Sequence, residues 1–376
     1  MRQNNSAGSV AKVKTYKLLT PGPLTTTSTV KEVMLFDRCT WDDEYKSITQ
    51  KIRSELLTFA GVNPDEYTAV LMQGSGTFAV ESVMTSTISD DDKVLIITNG
   101  AYGERIVQMA EYIGLNYTEY RVSYDEHPEE TELRALLTAD PELTHIAMVH
   151  CETTTGILNP IDMVAGLSKE YGKTLIIDAM SSFGGIEMDV AELGIDYLIS
   201  SANKCIQGVP GFGFAIAKLD KLTACQGIAR SLSLDLYDQW KGMDKDGKWR
   251  FTSPTHVVAA FAKAIDELVE EGGVPARFAR YQQNNQLLRE KLANIGIHAY
   301  ISEEKQSPII TTFQFPSESF SFGDFYAYVK ERGYVIYPGK LTDVDTFRIG
   351  NIGGIYAEDI EQLCDIIGEY MGGIEQ

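Results

Sequence analysis

Thr174-Leu-Ile-Ile-Asp178 and Asp196-Tyr-Leu-Ile-Ser-Ser-Ala-Asn-Lys204 are two short apolar runs, one ending in a carboxylate and the other delivering an amine three residues past its apolar stretch. Buried parallel strands have this composition, and open sheets place their working groups just beyond the strand carboxyl ends. Further strand-like runs lie at residues 67–72, 93–98, 145–150 and 213–217. Helical patterns separate most of them, among them residues 102–113, with Ile106, Met109 and Ile113 on one face, and residues 162–171. Alternation of this kind predicts an α/β fold, a mostly parallel sheet covered by helices. Five segments fall just past the expected strand ends: the turn at Gly74, Asn99-Gly-Ala-Tyr102, Cys151-Glu-Thr-Thr-Thr155, Asp178 and Lys204.

The chain has 376 residues, more than single cores usually accommodate, so two lobes are expected. After Pro254 the pattern becomes a long helical stretch over residues 256–295, with Gly272-Gly273 as a break between two helices. Short strands around 309–315 and 346–349 and helices around 322–332 and 357–371 follow. The expected organisation is a flexible tail (1–14), a large domain (15–265) and a smaller α+β domain (266–376).

Net charge is −20, and no Lys/Arg block marks a stripe for a phosphate backbone, which argues against nucleic acid. An acidic surface also repels anionic substrates at long range, so any anion site must be local, made of backbone donors and a placed arginine. No apolar stretch approaches membrane-spanning length, and residues 1–10 lack the apolar segment of a secretory signal. Five scattered cysteines without C-x-x-C spacing suggest reduced thiols, and five histidines form no ligand-like pair. The expectation is a cytoplasmic protein with no metal and no membrane contact.

Residues 67–72, Gln73-Gly-Ser-Gly-Thr77 and the helical pattern at 78–84 read as strand, glycine-rich turn and helix start. Gly74 and Gly76 let backbone N–H groups approach an anion, Ser75 and Thr77 add hydroxyls, and the helix terminus adds positive partial charge. This is a phosphate cup, without the spacing of a nucleoside triphosphate loop or a dinucleotide fingerprint. Singly, Asp178 reads as an α/β loop residue, Lys204 as a solvated helix start and the cup as a tight turn. Together they suggest pyridoxal 5′-phosphate, whose aldehyde needs a lysine amine and whose ring nitrogen needs a buried carboxylate.

These residues resemble the fold-type I pyridoxal-phosphate enzymes, in the branch that holds alanine–glyoxylate, serine–pyruvate and phosphoserine aminotransferases. Four peptides make the likeness more specific: Leu18-Leu-Thr-Pro-Gly-Pro23, Cys39-Thr-Trp-Asp-Asp43, Phe251-Thr-Ser-Pro-Thr255 and Tyr337-Pro-Gly-Lys340. They are similar to transaminases of that branch that move the amino group of 2-aminoethylphosphonate to pyruvate. The resemblance implies Lys204 as the residue bonded to the cofactor and as the proton-moving base, and Asp178 as the partner of the ring nitrogen. It implies Ser75, Gly76 and Thr77 as phosphate donors, Tyr102 stacked on the ring and Thr153 near the ring hydroxyl, with Thr155 as a second candidate. Thr252, with Thr255, would reach the phosphate of the neighbouring subunit, which makes the expected protein a homodimer with composite sites. Arg348 would bind the substrate anion, and residues 15–30 would fold back over the site and the small domain, bringing Thr25 to the substrate.

An alanine–glyoxylate or serine–pyruvate transaminase would share every cofactor residue and differ only in pocket shape. A cysteine desulfurase-like lyase needs a nucleophilic cysteine on a small-domain loop. Residues 296–356 contain none, and Cys364 falls in an expected helix. A non-enzymatic cofactor-binding protein would leave Lys204 and Arg348 without a task.

Overall fold

The computed structural model describes residues 15–341 and 344–374, and the tail expected over residues 1–14 lies outside them. Seven strands form the main sheet: β1 (Tyr67–Gly74), β2 (Lys93–Thr98), β3 (Asn116–Arg121), β4 (His145–Val149), β5 (Thr174–Asp178), β6 (Tyr197–Ser201) and β7 (Gly211–Lys218). Their spatial order is β1-β7-β6-β5-β4-β2-β3. β7 runs antiparallel to its neighbours β1 and β6, and the other pairings are parallel. Every strand except β7 therefore ends at the same edge.

Both faces of the sheet are buried, which is why the central strands read as unbroken apolar runs. Leu175 and Ile177 of β5 face one core with Met148, Leu198 and Phe214, while Ile176 faces the other with Ala147, Ile199 and Ala215. Successive strand side chains point to opposite faces, so one apolar strand serves two cores. The sequence pattern contains no strand over residues 116–121. Asn-Tyr-Thr-Glu-Tyr-Arg there forms the sheet edge, is at most half buried and pairs only with β2, so it carries no apolar run.

The helices that matter for the site are α1 (Gly76–Thr87), α2 (Ala101–Ile113), α3 (Ile161–Glu170), α4 (Thr255–Glu271) and α5 (Gly273–Ala293). The expected break between α4 and α5 is made by two glycines with positive φ, Gly272 at 111° and Gly273 at 78°. α4 packs Val258, Phe261, Ile265 and Leu268 against the sheet core, with Phe261 edge-on to Phe212 at 5.1 Å. Leu288 and Leu292 of α5 belong instead to a second core with Phe313, Phe325, Phe347 and Ile367.

That second core lies under a three-stranded antiparallel sheet of β8 (Ile310–Gln314), β9 (Tyr337–Pro338) and β10 (Thr346–Gly350), in the order β8-β10-β9. Helices α6 (Phe322–Glu331) and α7 (Ala357–Ile374) accompany it. Near the start of the described chain, Lys17 and Leu18 pair in parallel with Tyr334 and Val335, and Leu19 is buried in the second core. Residues 20–25 then turn towards the edge where Lys204 lies. Among the described residues no helix is long and apolar enough to cross a membrane, and no group of three or more His, Cys, Asp or Glu could hold a metal ion.

Candidate active site

The phosphate cup forms where β1 meets α1. Gly74 has φ 126°, Ser75 is extended as the cap residue, and α1 starts at Gly76 with no side-chain hydrogen bond to its first turn. Its leading N–H groups and the positive end of the helix are left for an anion. A Cβ at Gly76 would lie 2.3 Å from Met180 Sδ, so the Met180 side chain packs directly on the glycine that starts α1. Arg105 Nη1 donates to Thr77 Oγ1 at 3.4 Å, placing a cation at the cup. A cavity of about 250 Å³ is lined by Ser75, Gly76, Thr77, Tyr102, Asp178 and Lys204, together with Arg105 and Met180.

Asp178 ends β5 and is 6% exposed. Burial pushes its carboxyl up to about 6, against the Met180 N–H that donates to Oδ1 at 2.9 Å and the attraction of Lys204. A protonated ring nitrogen is the kind of partner that would favour the ionised form of such an acid. Lys204 lies just past β6, and its Nζ donates to the Pro21 carbonyl at 2.7 Å. Burial lowers its pKa, which favours the free amine that a proton-moving base requires. A Cβ on Gly22 (φ 122°) would come within 2.9 Å of that Nζ, so the glycine makes the approach possible.

The loop carrying Lys204 is held from behind. Arg277 Nη1 and Tyr281 OH donate to the Cys205 carbonyl at 2.6 and 3.2 Å, and Gln207 Nε2 donates to Gly353 O at 2.9 Å. Gln207 has a positive φ of 69°, an unusual conformation for a residue with a side chain, and its N–H closes a turn onto the Lys204 carbonyl at 2.7 Å.

Tyr102 opens α2 and is fixed by a residue that sequence reasoning passed over as part of a polar loop. Glu152, fully buried, accepts from the N–H groups of Tyr102 (3.0 Å) and Gly103 (3.1 Å) through one oxygen. Its other oxygen accepts from Thr154 N–H and hydroxyl at 3.2 and 2.7 Å. Burial raises the Glu152 pKa even so. Glu152→Ala leaves four donors without their acceptor, two at the start of α2 and two on Thr154, and is expected to lower unfolding stability by about 2–4 kcal/mol. Urea unfolding would test this, and a loss under about 0.5 kcal/mol, the scale of a neutral surface change, would count against the capping role.

Thr153 is buried, and its carbonyl accepts from Arg348 Nη1 at 2.9 Å. Arg348, 3% exposed on β10, also donates from Nε to Pro338 O at 3.0 Å. Burial lowers its pKa, and no acidic side chain pairs with it among the described residues. A buried guanidinium bonded to carbonyls is a place for an incoming anion.

The remaining candidates divide. Thr155 donates to Tyr124 O at 3.1 Å, and the Thr25 hydroxyl accepts from Leu18 N–H at 2.7 Å, so both hold loops in place. Thr252 is exposed and Thr255 half-buried at the start of α4, and neither lines the cavity of its own chain. Cys364 is buried in α7, where burial pushes its thiol up to about 12, unsuited to a nucleophile. A larger groove of about 1120 Å³ runs past Asp162, Asp189 and His150. His150 bonds Ser182 Oγ at 3.0 Å, and burial lowers its pKa to about 4, so the ring is neutral and engaged. Arg105 lies three positions after Tyr102 on the same helix face, a spacing that could have revealed it.

An anion cup, a buried carboxylate, a half-buried amine and an aromatic wall around one cavity fit the expected cofactor. Residues 39–344 match the model of the Aminotransferase class-V family. The chain is 65% identical to a 2-aminoethylphosphonate–pyruvate transaminase of Lysinibacillus sphaericus, over 95% of this chain and 97% of the relative. It is 59% identical to a transaminase of the same description from Bacillus cytotoxicus, over 94% and 97%. The crystal structure of a pyridoxamine–pyruvate aminotransferase from Mesorhizobium loti superposes with a TM-score of 0.88 at 22% identity, covering 97% of this chain and 94% of that one. Fold, site and sequence thus agree: the chain belongs to the class-V aminotransferases, and its cofactor is pyridoxal 5′-phosphate.

Proposed function

We propose that this enzyme takes the amino group of 2-aminoethylphosphonate and gives it to pyruvate, forming phosphonoacetaldehyde and L-alanine in a ping-pong cycle. The observation that carries the reading is Arg348, a buried guanidinium with no acidic partner among the described residues, in a chain whose relatives are named for that reaction. The donor has a phosphonate and the acceptor a carboxylate. One planar guanidinium can bind each in turn, because the two halves of the cycle never occupy the site together.

Pyridoxal phosphate, when bound, supplies an aldehyde that exchanges for the substrate amine and a ring that accepts the electron pair left by a departing proton. The chain's own residues supply the rest. Ser75, Gly76, Thr77 and the start of α1 would hold the phosphate, with Arg105 adding charge to an otherwise acidic protein. Asp178 would hold the proton on the ring nitrogen. Tyr102, set by Glu152, would fix the ring plane. Lys204 Nζ would take the proton from the amine-bearing carbon of the substrate, and burial, which lowers its pKa, favours the free amine this needs.

The reading extends to a homodimer. Thr252 is exposed, and next to the cup Phe78 and Phe251 are each 49% exposed, apolar surface that a second subunit would cover. Supplying pyruvate with either 2-aminoethylphosphonate or L-serine and measuring L-alanine tests the reaction. Alanine from serine alone would overturn the proposal in favour of a serine–pyruvate transaminase. Arg348→Lys loses the bidentate fork and is expected to raise KM for both 2-aminoethylphosphonate and pyruvate by at least about tenfold. A rise for neither would remove Arg348 from anion binding.

A further inference from the structure

Arg348 and Lys340 are carried by one short hairpin. Pro338 in β9 pairs with Phe347 in β10, Gly339 N–H donates to Thr346 O at 2.9 Å, and Lys340 follows directly. A Cβ at Gly339 would lie 2.1 Å from Thr346 Oγ1, so the hairpin closes tightly only with glycine there. The Lys340 ammonium leaves this hairpin for Tyr102, a wall of the cofactor cavity, 3.1 Å from its hydroxyl and 4.2 Å from the centre of its ring, and itself lines a neighbouring cavity with Arg121 and Tyr124.

Lys340 is exposed and forms no ion pair among the described residues. Glu104, which lines that neighbouring cavity with Lys340, is already paired with Arg121 at 2.6 Å. Burial alone would raise the Tyr102 phenol, yet Lys204 and Lys340 together hold it below its ordinary value. Arg348 in turn feels that phenol, although burial is the larger influence on it. Lys340 thus meets the phenol directly, while Lys204 and Arg348 act on it electrostatically. In a chain of net charge −20, three cations acting on one tyrosine are a local feature.

A carboxylate brings one charge and two oxygens, which the fork of Arg348 satisfies. A phosphonate brings a third acceptor oxygen and a second ionisation, which the neighbouring ammonium of 2-aminoethylphosphonate or a nearby cation favours and which is complete at mildly alkaline pH. We propose that Lys340 is the second cation of the substrate-tail site, a specificity residue that favours dianionic phosphonate tails over monoanionic carboxylates. This deepens the function proposed above and rests on it. Lys340 sits on a flexible arm at the rim, so it can engage the larger tail and withdraw when pyruvate takes its place.

The test uses the holoenzyme at mildly alkaline pH, where ethylphosphonate is largely the dianion, and two unreactive probes, ethylphosphonate and propionate, with binding followed by the change in cofactor absorbance. Lys340→Gln is expected to weaken ethylphosphonate about fivefold or more and propionate less than about twofold, while Lys340→Arg keeps the ratio of the parent. Equal weakening of both probes would indicate a structural role, and no change in either would indicate a solvated bystander. Each result overturns the inference, as does a parent enzyme that does not bind ethylphosphonate. Should the parent bind ethylphosphonate yet make no alanine from 2-aminoethylphosphonate, the proposed reaction fails while the probe ratio still decides the role of Lys340.

Discussion

Lys204→Ala is expected to remove turnover by about four orders of magnitude or more, because in the proposed reaction one amine would serve both as the attachment point of the cofactor and as the proton-moving base. The fold should survive. The Lys204 ammonium donates to one loop carbonyl, that of Pro21, and burial already disfavours its charged form, so its loss removes little native stability. Three measurements separate these outcomes. Absorbance of the lysine-bound cofactor should vanish, and far-UV circular dichroism and the unfolding midpoint should match the parent. Residual turnover within tenfold of the parent would place the base elsewhere.

Asp178→Asn is expected to cut activity by about two to three orders of magnitude, the range for removing one aligned charge from a reacting centre. Its effect on the cofactor-free protein should have the opposite sign. Burial raises the carboxyl from 3.8 to about 6, above its unfolded value, so the native contribution of this group is complete at low pH. It is then lost as pH rises through about 6, where the folded chain must bury an unpaired charge. Asparagine never ionises and can still accept the Met180 N–H. The cofactor-free variant should therefore be more stable than the parent by up to about 3 kcal/mol near pH 8, and equal to it near pH 4. Urea unfolding at the two values of pH reads this directly, and identical pH profiles for the two proteins would contradict it.

What the sequence made legible was set by how strongly each residue's neighbours constrain its type. Strands buried on both faces could be read because two cores demand apolar residues at every position, whereas β3, at the edge, could not. The turn from Gly74 to Thr77 was readable because anion binding leaves a backbone signature. Glu152 was not. Its task depends on a fold that brings residue 152 beneath the start of α2, and nothing local distinguishes it from a loop acid. Thr25 shows the reverse limit: a hydroxyl expected at the substrate instead accepts from the backbone of Leu18.

Arg277, Tyr281 and the Gln207–Gly353 contact clamp the chain just after residue 204. A clamped main chain gives the amine a fixed pivot. In the proposed reaction its travel between neighbouring carbon atoms would then come from rotation about its own four-carbon tether, a motion of the picosecond-to-nanosecond class that asks no movement of the backbone.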